Sequence, residues 1–365
     1  MKIKEIINFI ENFAPIFLQE EYDNCGLTIG DSNIKIKKIL ICLDVTLEVM
    51  EEAKKNNCNL IISHHPVIFK EIKKINNNNL TEKIINKAIK NNICLYALHT
   101  NLDNIIGGVN SIICEKLKIK NNKILLPKKN TLNKIITFCP SKYTNKIKKS
   151  LSEAGAGMIG NYDSCSFVSS GLGSFRPLKE STPFVGEKNK IHQEEEDRIE
   201  MLFSKHKEKD IIEALLKTHP YEEVAYYIQE CKNINKDFGS GMIGELESEI
   251  DTKNFMKFIK KNMKSKCLRH TEIIKKKIKK IAVCGGSGAF LIEEAIKQKA
   301  DIFITGEIKY HDYFKSNNKI LLVDIGHFES ERYTTNLIYR IIKKNFSKLA
   351  VLKSNIDTNP IRHLI

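Results

Sequence analysis

The 365-residue chain contains no uninterrupted apolar run of about 18 residues, which excludes a conventional membrane-spanning helix. It also lacks any C-x-x-C pair. Its ten cysteines sit mostly in apolar surroundings and read as buried reduced thiols, which excludes a zinc ribbon or a disulfide frame. Arginine is scarce: Arg176, Arg198, Arg269, Arg332, Arg340 and Arg362 are the only ones, so almost all of the net charge of +15 comes from lysine. Readers of bases and phosphates favour the planar guanidinium fork, whereas dispersed lysine gives only non-specific attraction. Specific nucleic-acid binding is therefore not expected, although electrostatic gathering of a triphosphate is compatible with this charge. Met1 to Phe13 interleaves charged and apolar residues at helical spacing and lacks the apolar stretch of a secretory signal. The expected location is the cytoplasm. Neither a dinucleotide fingerprint nor a Walker A loop is present. The nearest approach, Gly285-Gly-Ser-Gly-Ala between a strand and a helix, reads as a tight turn, with an anion contact as the alternative.

What the chain does contain is His64-His65-Pro66 at the end of the apolar run Leu60 to Ile62. Adjacent residues of a strand point to opposite faces, but Pro66 stops the paired strand and pushes His65 into an extended turn. Both imidazoles can then converge where the strand leaves the sheet, the end at which open α/β sheets build their sites. Neutral imidazole is also a common transition-metal ligand. Two further pieces follow apolar, strand-like runs: Asp103 in His99-Thr-Asn-Leu-Asp, and His327 with Glu331 in Gly326-His-Phe-Glu-Ser-Glu. The i,i+4 spacing of His327 and Glu331 puts them on one face of a helix. Three nitrogens and two carboxylates suffice for two metal ions.

The length exceeds a comfortable single core, so two or three domains are expected. Residues 1–126 alternate between helix and strand: helices near Ile3 to Phe13, Leu47 to Asn56, Thr81 to Asn91 and Val109 to Leu117, and strands at Ile39 to Leu43, Leu60 to Ile62 and Ile93 to Ala97. Thr46 is the expected N-cap of the second helix. Asp44 is open to either a turn role or a place facing the site. Residues 127–244 give β-α-β-β-α-β, the ferredoxin-like split motif, with strands at Lys134 to Cys139, Ser164 to Val168, Ile199 to Ser204 and Val224 to Ile228. A long polar loop, Gly171 to Glu196, is expected between the middle strands. His219-Pro-Tyr-Glu-Glu reads as a helix-ending turn. Residues 245–365 resume the alternation, including a helix from Ala289 to Lys297, a strand at Ile320 to Val323 and one continuous helix from His327 to Lys344. Because the ligand candidates come from the outer segments alone, those two fold together and the middle one is an insertion.

The motifs just named, with Glu20-Glu-Tyr-Asp-Asn-Cys-Gly-Leu, Cys42-Leu-Asp-Val-Thr, Gly155-Ala-Gly-Met-Ile-Gly-Asn-Tyr and Thr305-Gly-Glu-Ile-Lys-Tyr-His, closely resemble those of the Nif-three-like proteins, often labelled GTP cyclohydrolase 1 type 2 homologs. The likeness covers essentially the whole length. It implies an α/β fold of two similar lobes forming one metal-binding core, interrupted by an inserted ferredoxin-like α+β domain of PII and CutA type. It also implies a dinuclear centre held by His64, His65, Asp103, His327 and Glu331, and a ring-shaped homohexamer.

Such a centre would carry two divalent ions per chain. The mixed nitrogen and oxygen ligands suit zinc, iron, manganese and cobalt alike. In a cyclohydrolase reading, water activated by the metals attacks C8 of the guanine ring of GTP and formate is released. His99 and His311 are candidate proton carriers or partners of the ligands, and Glu307 a candidate for orienting or deprotonating water; for each, a purely structural hydrogen bond is the alternative. Two other functions fit the same residues: a metal-dependent phosphoester hydrolase, and a metal-binding regulatory or carrier hexamer without turnover.

Overall fold

The computed structural model describes residues 1–364. Two units divide the chain: Met1–Pro127 together with the residues from Lys236 onward, and Lys128–Asn235.

In the first unit, the early chain forms helices α1 (Ile3–Phe13), α2 (Leu47–Lys55), α3 (Leu80–Lys90), α4 (Thr100–Asp103) and α5 (Val109–Lys116), interleaved with strands β1 (Gly26–Ile29), β2 (Ile39–Cys42), β3 (Leu60–Ser63), β4 (Cys94–Ala97) and β5 (Lys120–Pro127). Helical spacing of the isoleucines in α1 buries Ile3, Ile6, Ile7 and Ile10 on one face. The Thr46 side chain caps α2 by accepting from the Val49 amide. Strands β2, β3 and β4 are buried along their whole length, as continuous apolar runs covered on both faces must be.

The inserted unit contains β6 (Leu132–Pro140), α6 (Thr144–Glu153), β7 (Phe167–Phe175), β8 (His192–Ser204), α7 (Glu208–Thr218) and β9 (Tyr226–Cys231). Its four strands are antiparallel throughout, in the order β7-β8-β6-β9. Ile135, Ile199 and Phe203 of the sheet pack with Ile147, Leu151, Ile211 and Leu215 of the two helices.

The chain then returns to the first unit with β10 (Gly239–Asp251), α8 (Thr252–Asn262), β11 (Arg269–His270), β12 (Lys277–Cys284), α9 (Ile292–Lys297), β13 (Ile302–Thr305), β14 (Leu321–Asp324), α10 (His327–Glu331), α11 (Thr334–Asn345) and β15 (Val351–Lys353). Two sheets result, ordered β1-β4-β3-β2-β15 and β11-β14-β13-β12-β10-β5. The ends of the chain are exchanged between them: late strand β15 pairs in parallel with β2, and early strand β5 pairs antiparallel with β10. The first sheet has four parallel strands, β15, β2, β3 and β4, with antiparallel β1 beside β4; the second has three, β12, β13 and β14, with antiparallel β11 beside β14 and antiparallel β10 beside β12.

Several local expectations are corrected. The polar stretch from Gly171 to Glu196 is largely a hairpin, since β7 and β8 pair from Phe167 with Glu200 to Phe175 with His192, leaving only 176–191 as a loop. The strand expected at Ser164 starts at Phe167, because Ser164 has φ of 55° and cannot sit in an extended ladder. The helix expected to run from His327 to Lys344 pauses in a turn at Arg332 and Tyr333. Strands β5 and β10 were not expected at all.

Candidate metal centre

Strand β3 delivers His64 and His65 at its carboxyl end. His64 is fully buried, and the amides of both residues donate to the Leu43 carbonyl, which fixes the turn expected from Pro66. Two residues beyond the end of β4, His99 is the N-cap residue of α4 and places Asp103 four residues on. Strand β14 ends near Gly326, and α10 then carries His327 and Glu331 on one face. The four imidazoles cluster: ring centroids lie 4.9 Å apart for His64 and His65, 5.2 Å from each of these to His99, and 5.5 Å between His65 and His327. Two groups of side chains lie close enough to share an ion, His64 with His65 and His99, and His65 with His327 and Glu331.

The hydrogen bonds of the rings decide which nitrogens face inward. His64 Nδ1–H donates to the Leu98 carbonyl at 2.8 Å, His65 Nδ1–H to Asp44 Oδ1 at 2.7 Å, and His99 Nδ1–H to Asp23 Oδ1 at 2.8 Å. His327 Nδ1 faces Glu307 Oε2 at 3.4 Å, the longest of the four contacts. An imidazole held by an acceptor on one nitrogen presents the other as a metal ligand of fixed orientation. At the meeting point, Glu331 Oε2 lies 3.0 Å from His65 Nε2 and 3.2 Å from His327 Nε2, and His64 Nε2 lies 3.6 Å from Glu331 Oε1 and 3.9 Å from Asp103 Oδ1. Despite these ion-pair distances, His64 Nε2, Asp103 Oδ1 and Glu331 Oε2 are buried without any hydrogen bond. Orphaned buried polar atoms are costly, and cations held at this cluster would satisfy them.

The charge balance of the metal-free centre agrees. Burial works to lower the His65 pKa, yet the Asp44 and Glu331 carboxylates push it up to about 10, and Glu331 raises His327 to about 9 against the same burial. Although burial would raise Glu331, His64, His327 and His65 hold it well below the usual carboxylate range. Desolvation pushes Asp103 up to about 6, opposed by His64 and His99. Without a metal, protons on the imidazoles supply the positive charge that the buried carboxylates require.

The Gly285-Gly-Ser-Gly turn has a structural explanation. The amides of Gly285, Gly286 and Gly288 donate to Asn110 Oδ1, Ser330 Oγ and Thr305 Oγ1, so they are not offered to an anion. Gly286 has φ of +60°, and a Cβ there would collide with the Glu331 carboxylate. The glycine lets the acid reach the centre. These groups floor a cleft of about 580 Å³. Among its described lining residues are four carboxylates (Glu20, Asp44, Asp103 and Glu331) and no lysine or arginine. Tyr22, Phe69 and Phe290 supply exposed aromatic faces at its walls.

The Duf34/NIF3 (NGG1p interacting factor 3) family pattern matches residues 1–360. The chain belongs to this family. Among its Duf34/NIF3 relatives, the Bacillus subtilis protein named GTP cyclohydrolase 1 type 2 homolog is 36% identical over 370 residues, covering 99% of this chain and 98% of the relative. A Halalkalibacterium halodurans protein of the same name is 33% identical, with 97% of each chain covered. Of solved structures, a Bacillus cereus protein related to NIF3 superposes with a TM-score of 0.87 at 34% identity, covering 100% of this chain and 99% of its own.

The sequence-based candidates separate in this Duf34/NIF3 structure. His64, His65, Asp103, His327 and Glu331 are brought together, and His99 joins them as a ring of the first ion-sized group. Glu307 stands behind His327, and Asp44 behind His65. His311 is exposed on a 3-10 helix, Tyr310–Ser316, with its ring edge-on to that of Tyr310. His219 accepts from the Tyr221 amide and donates to the Phe138 carbonyl in the inserted unit, the turn role expected of it. Sequence reasoning gave no role to Asp23, which orients His99 and accepts from both the Thr100 amide and hydroxyl. Nor did it give one to Thr358, whose hydroxyl donates to Asp44 at 2.7 Å. The signal for Asp23 was an acidic residue inside a quoted motif; Thr358 carried none.

Proposed function

We propose that the chain is a dinuclear metal-dependent hydrolase acting on a nucleotide of the GTP type, with the ring as the reacting part. The carrying observation is that four clustered imidazoles have Nδ1 facing an acceptor behind them, while His64 Nε2, Asp103 Oδ1 and Glu331 Oε2 are buried at the same place without a hydrogen bond. His64, His65, His99, Asp103, His327 and Glu331 would hold the ions, with Glu331 offering one oxygen toward His64 and the other toward His65 and His327. When bound, two divalent ions supply Lewis acidity and acidify water to near neutrality. Asp23, Asp44 and Glu307 keep the rings in place. Tyr22, Phe69 and Phe290 offer flat faces on which a purine can stack. A wall without lysine or arginine favours an uncharged ring over a polyphosphate, and so supports ring hydrolysis ahead of phosphoester hydrolysis. The names of the relatives point the same way.

The finer architecture is part of this proposal. The two sheets of the first unit read as similar lobes, since each has a run of parallel strands ending beside a short antiparallel edge strand, and His99-x-x-x-Asp103 after β4 corresponds to His327-x-x-x-Glu331 after β14. The strand order β7-β8-β6-β9 with one helix after β6 and another after β8 supports an inserted ferredoxin-like domain. Ten unpaired cysteines support a reducing, cytoplasmic location. We take the assembly to be a homohexamer, which a solution mass measurement checks.

The functional test is a substrate screen on protein reconstituted with zinc, iron, manganese or cobalt, using GTP, GMP and guanosine and reading formate and phosphate. Formate release with two ions per chain supports the proposal. Phosphate release alone replaces it with a phosphoesterase. Two tightly held ions without turnover replace it with a metal-binding regulatory or carrier protein.

A further inference from the structure

The inserted unit has a cavity of its own, of about 540 Å³, in the size range of small-molecule sites. Its walls include the rings of Phe175, Phe184 and Tyr221. Tyr221 is the pivot: its centroid lies 6.1 Å from those of Phe175 and Phe184, with interplanar angles of 57° and 49°. The rings are tilted against one another instead of stacked, so their faces are not consumed by mutual packing. Three carboxylates line the same space, those of Glu196, Glu222 and Glu223, against a single exposed arginine, Arg176. In a chain of net charge +15, this local excess of acid is the reverse of the general surface.

Glu196, Glu222 and Tyr221 are held in place by hydrogen bonds. Tyr221 Oη–H donates to Glu196 Oε1 at 2.8 Å, locking a ring and a carboxylate together. Glu222 Oε1 accepts from the Thr182 amide at 2.7 Å and so holds the 176–191 loop that carries Phe184. A Cβ on Gly173 would collide with the Glu196 carboxylate, so glycine in the facing strand leaves that acid its place. Phe184 already has one cation near its ring: Lys142 Nζ, which does not line the cavity, lies 5.4 Å from the centroid.

We propose that this pocket binds a small organic cation, an alkylated or quaternary ammonium with a hydrocarbon body. Aromatic faces attract such a cation through their quadrupoles, and they do so more strongly where water is displaced. The carboxylates add charge complementarity, while the hydrocarbon body fills volume that a bare metal ion would leave to water. The pocket is built entirely from the inserted unit and does not depend on the metal reading.

The test uses the full-length, metal-loaded protein and titration calorimetry with choline, compared with its uncharged tert-butyl isostere. Saturable one-to-one binding of choline, with the isostere weaker by about ten-fold or more, is expected. Phe184→Ala changes an exposed ring and Glu196→Gln keeps the shape of its side chain. Each should weaken choline binding by about ten-fold and leave the metal content unchanged. Equal binding of choline and its isostere would reduce the pocket to an apolar one and overturn the proposal. So would absence of saturable choline binding, or unaltered affinity in both variants.

Discussion

The cleft of the first unit and the pocket of the inserted unit are nearly equal in size, but their polar atoms are satisfied in opposite ways. In the pocket, the phenol and carboxylate of Tyr221 and Glu196 satisfy each other, so it is complete without a ligand. In the cleft, three buried donor atoms of His64, Asp103 and Glu331 have no hydrogen bond while every ring is braced from behind. Strict outer bracing around an unsatisfied interior is the mark of a site arranged for a cation. A filled polar network beside open aromatic faces instead suits a ligand that brings a diffuse charge and apolar surface.

The sharpest way to break this comparison is Glu331→Ala. It removes the carboxylate next to His64, His65 and His327, and we expect loss of metal from the centre with little change in the far-ultraviolet circular dichroism, since the side chain packs no core cluster. Metal analysis after dialysis checks it; retention of two ions would remove Glu331 from the ligand set. Next in size is Gly286→Ala, which forces a Cβ against Glu331 and places alanine at positive φ. A stability loss of about 1–2 kcal/mol is expected from the backbone alone, together with weaker metal binding. Chemical denaturation measures the first and competition with a chelator the second.

Asp23→Asn should have a milder effect, because it retains the shape of the group bracing His99 but not its charge. Loss of such a partner typically costs about 10- to 100-fold in metal affinity or activity, while Phe184→Ala in the pocket should leave metal affinity unchanged. If both variants behave alike, the distinction between the two cavities fails. The smallest effect is the pH dependence of the metal-free protein. His65 and His327 have pKa values raised to about 10 and about 9, above the unfolded value of about 6.5. The stability they contribute is therefore fully present below pH 6.5 and lost as pH rises through 9 to 10. Melting temperature of chelator-treated protein should fall over that window. Metal-loaded protein should not follow it, because deprotonation is what ligation requires.

Much of the first unit was legible because its signals are local. The i,i+3/i+4 isoleucines of α1, the Thr46 cap and the uninterrupted apolar runs of β3 and β4 each imply an element without reference to the rest of the chain. The hairpin of β7 and β8 was not legible, because Phe167–Phe175 is exposed along most of its length and its glycines and serines look like a loop. Nine residue pairs with the neighbouring strand outweigh that weak local preference. Strand β10 failed for a related reason: Gly239, Gly241 and Gly244 break its pattern, yet it is paired on both sides, with β5 and with β12.

The sequence by itself determined that two histidines stop at the end of a strand, that an acid and a further histidine–acid pair follow other strands, and that the middle of the chain runs in the order β-α-β-β-α-β. These follow from short-range sterics and periodicity, which act between residues a few positions apart. Only the tertiary structure decided that Asp23, Asp44 and Thr358 stand behind the rings, that His99 turns inward while His311 does not, and that β5 and β15 exchange sheets. Those facts depend on pairing and hydrogen bonding between residues tens to hundreds of positions apart, for which the local sequence carries no signal.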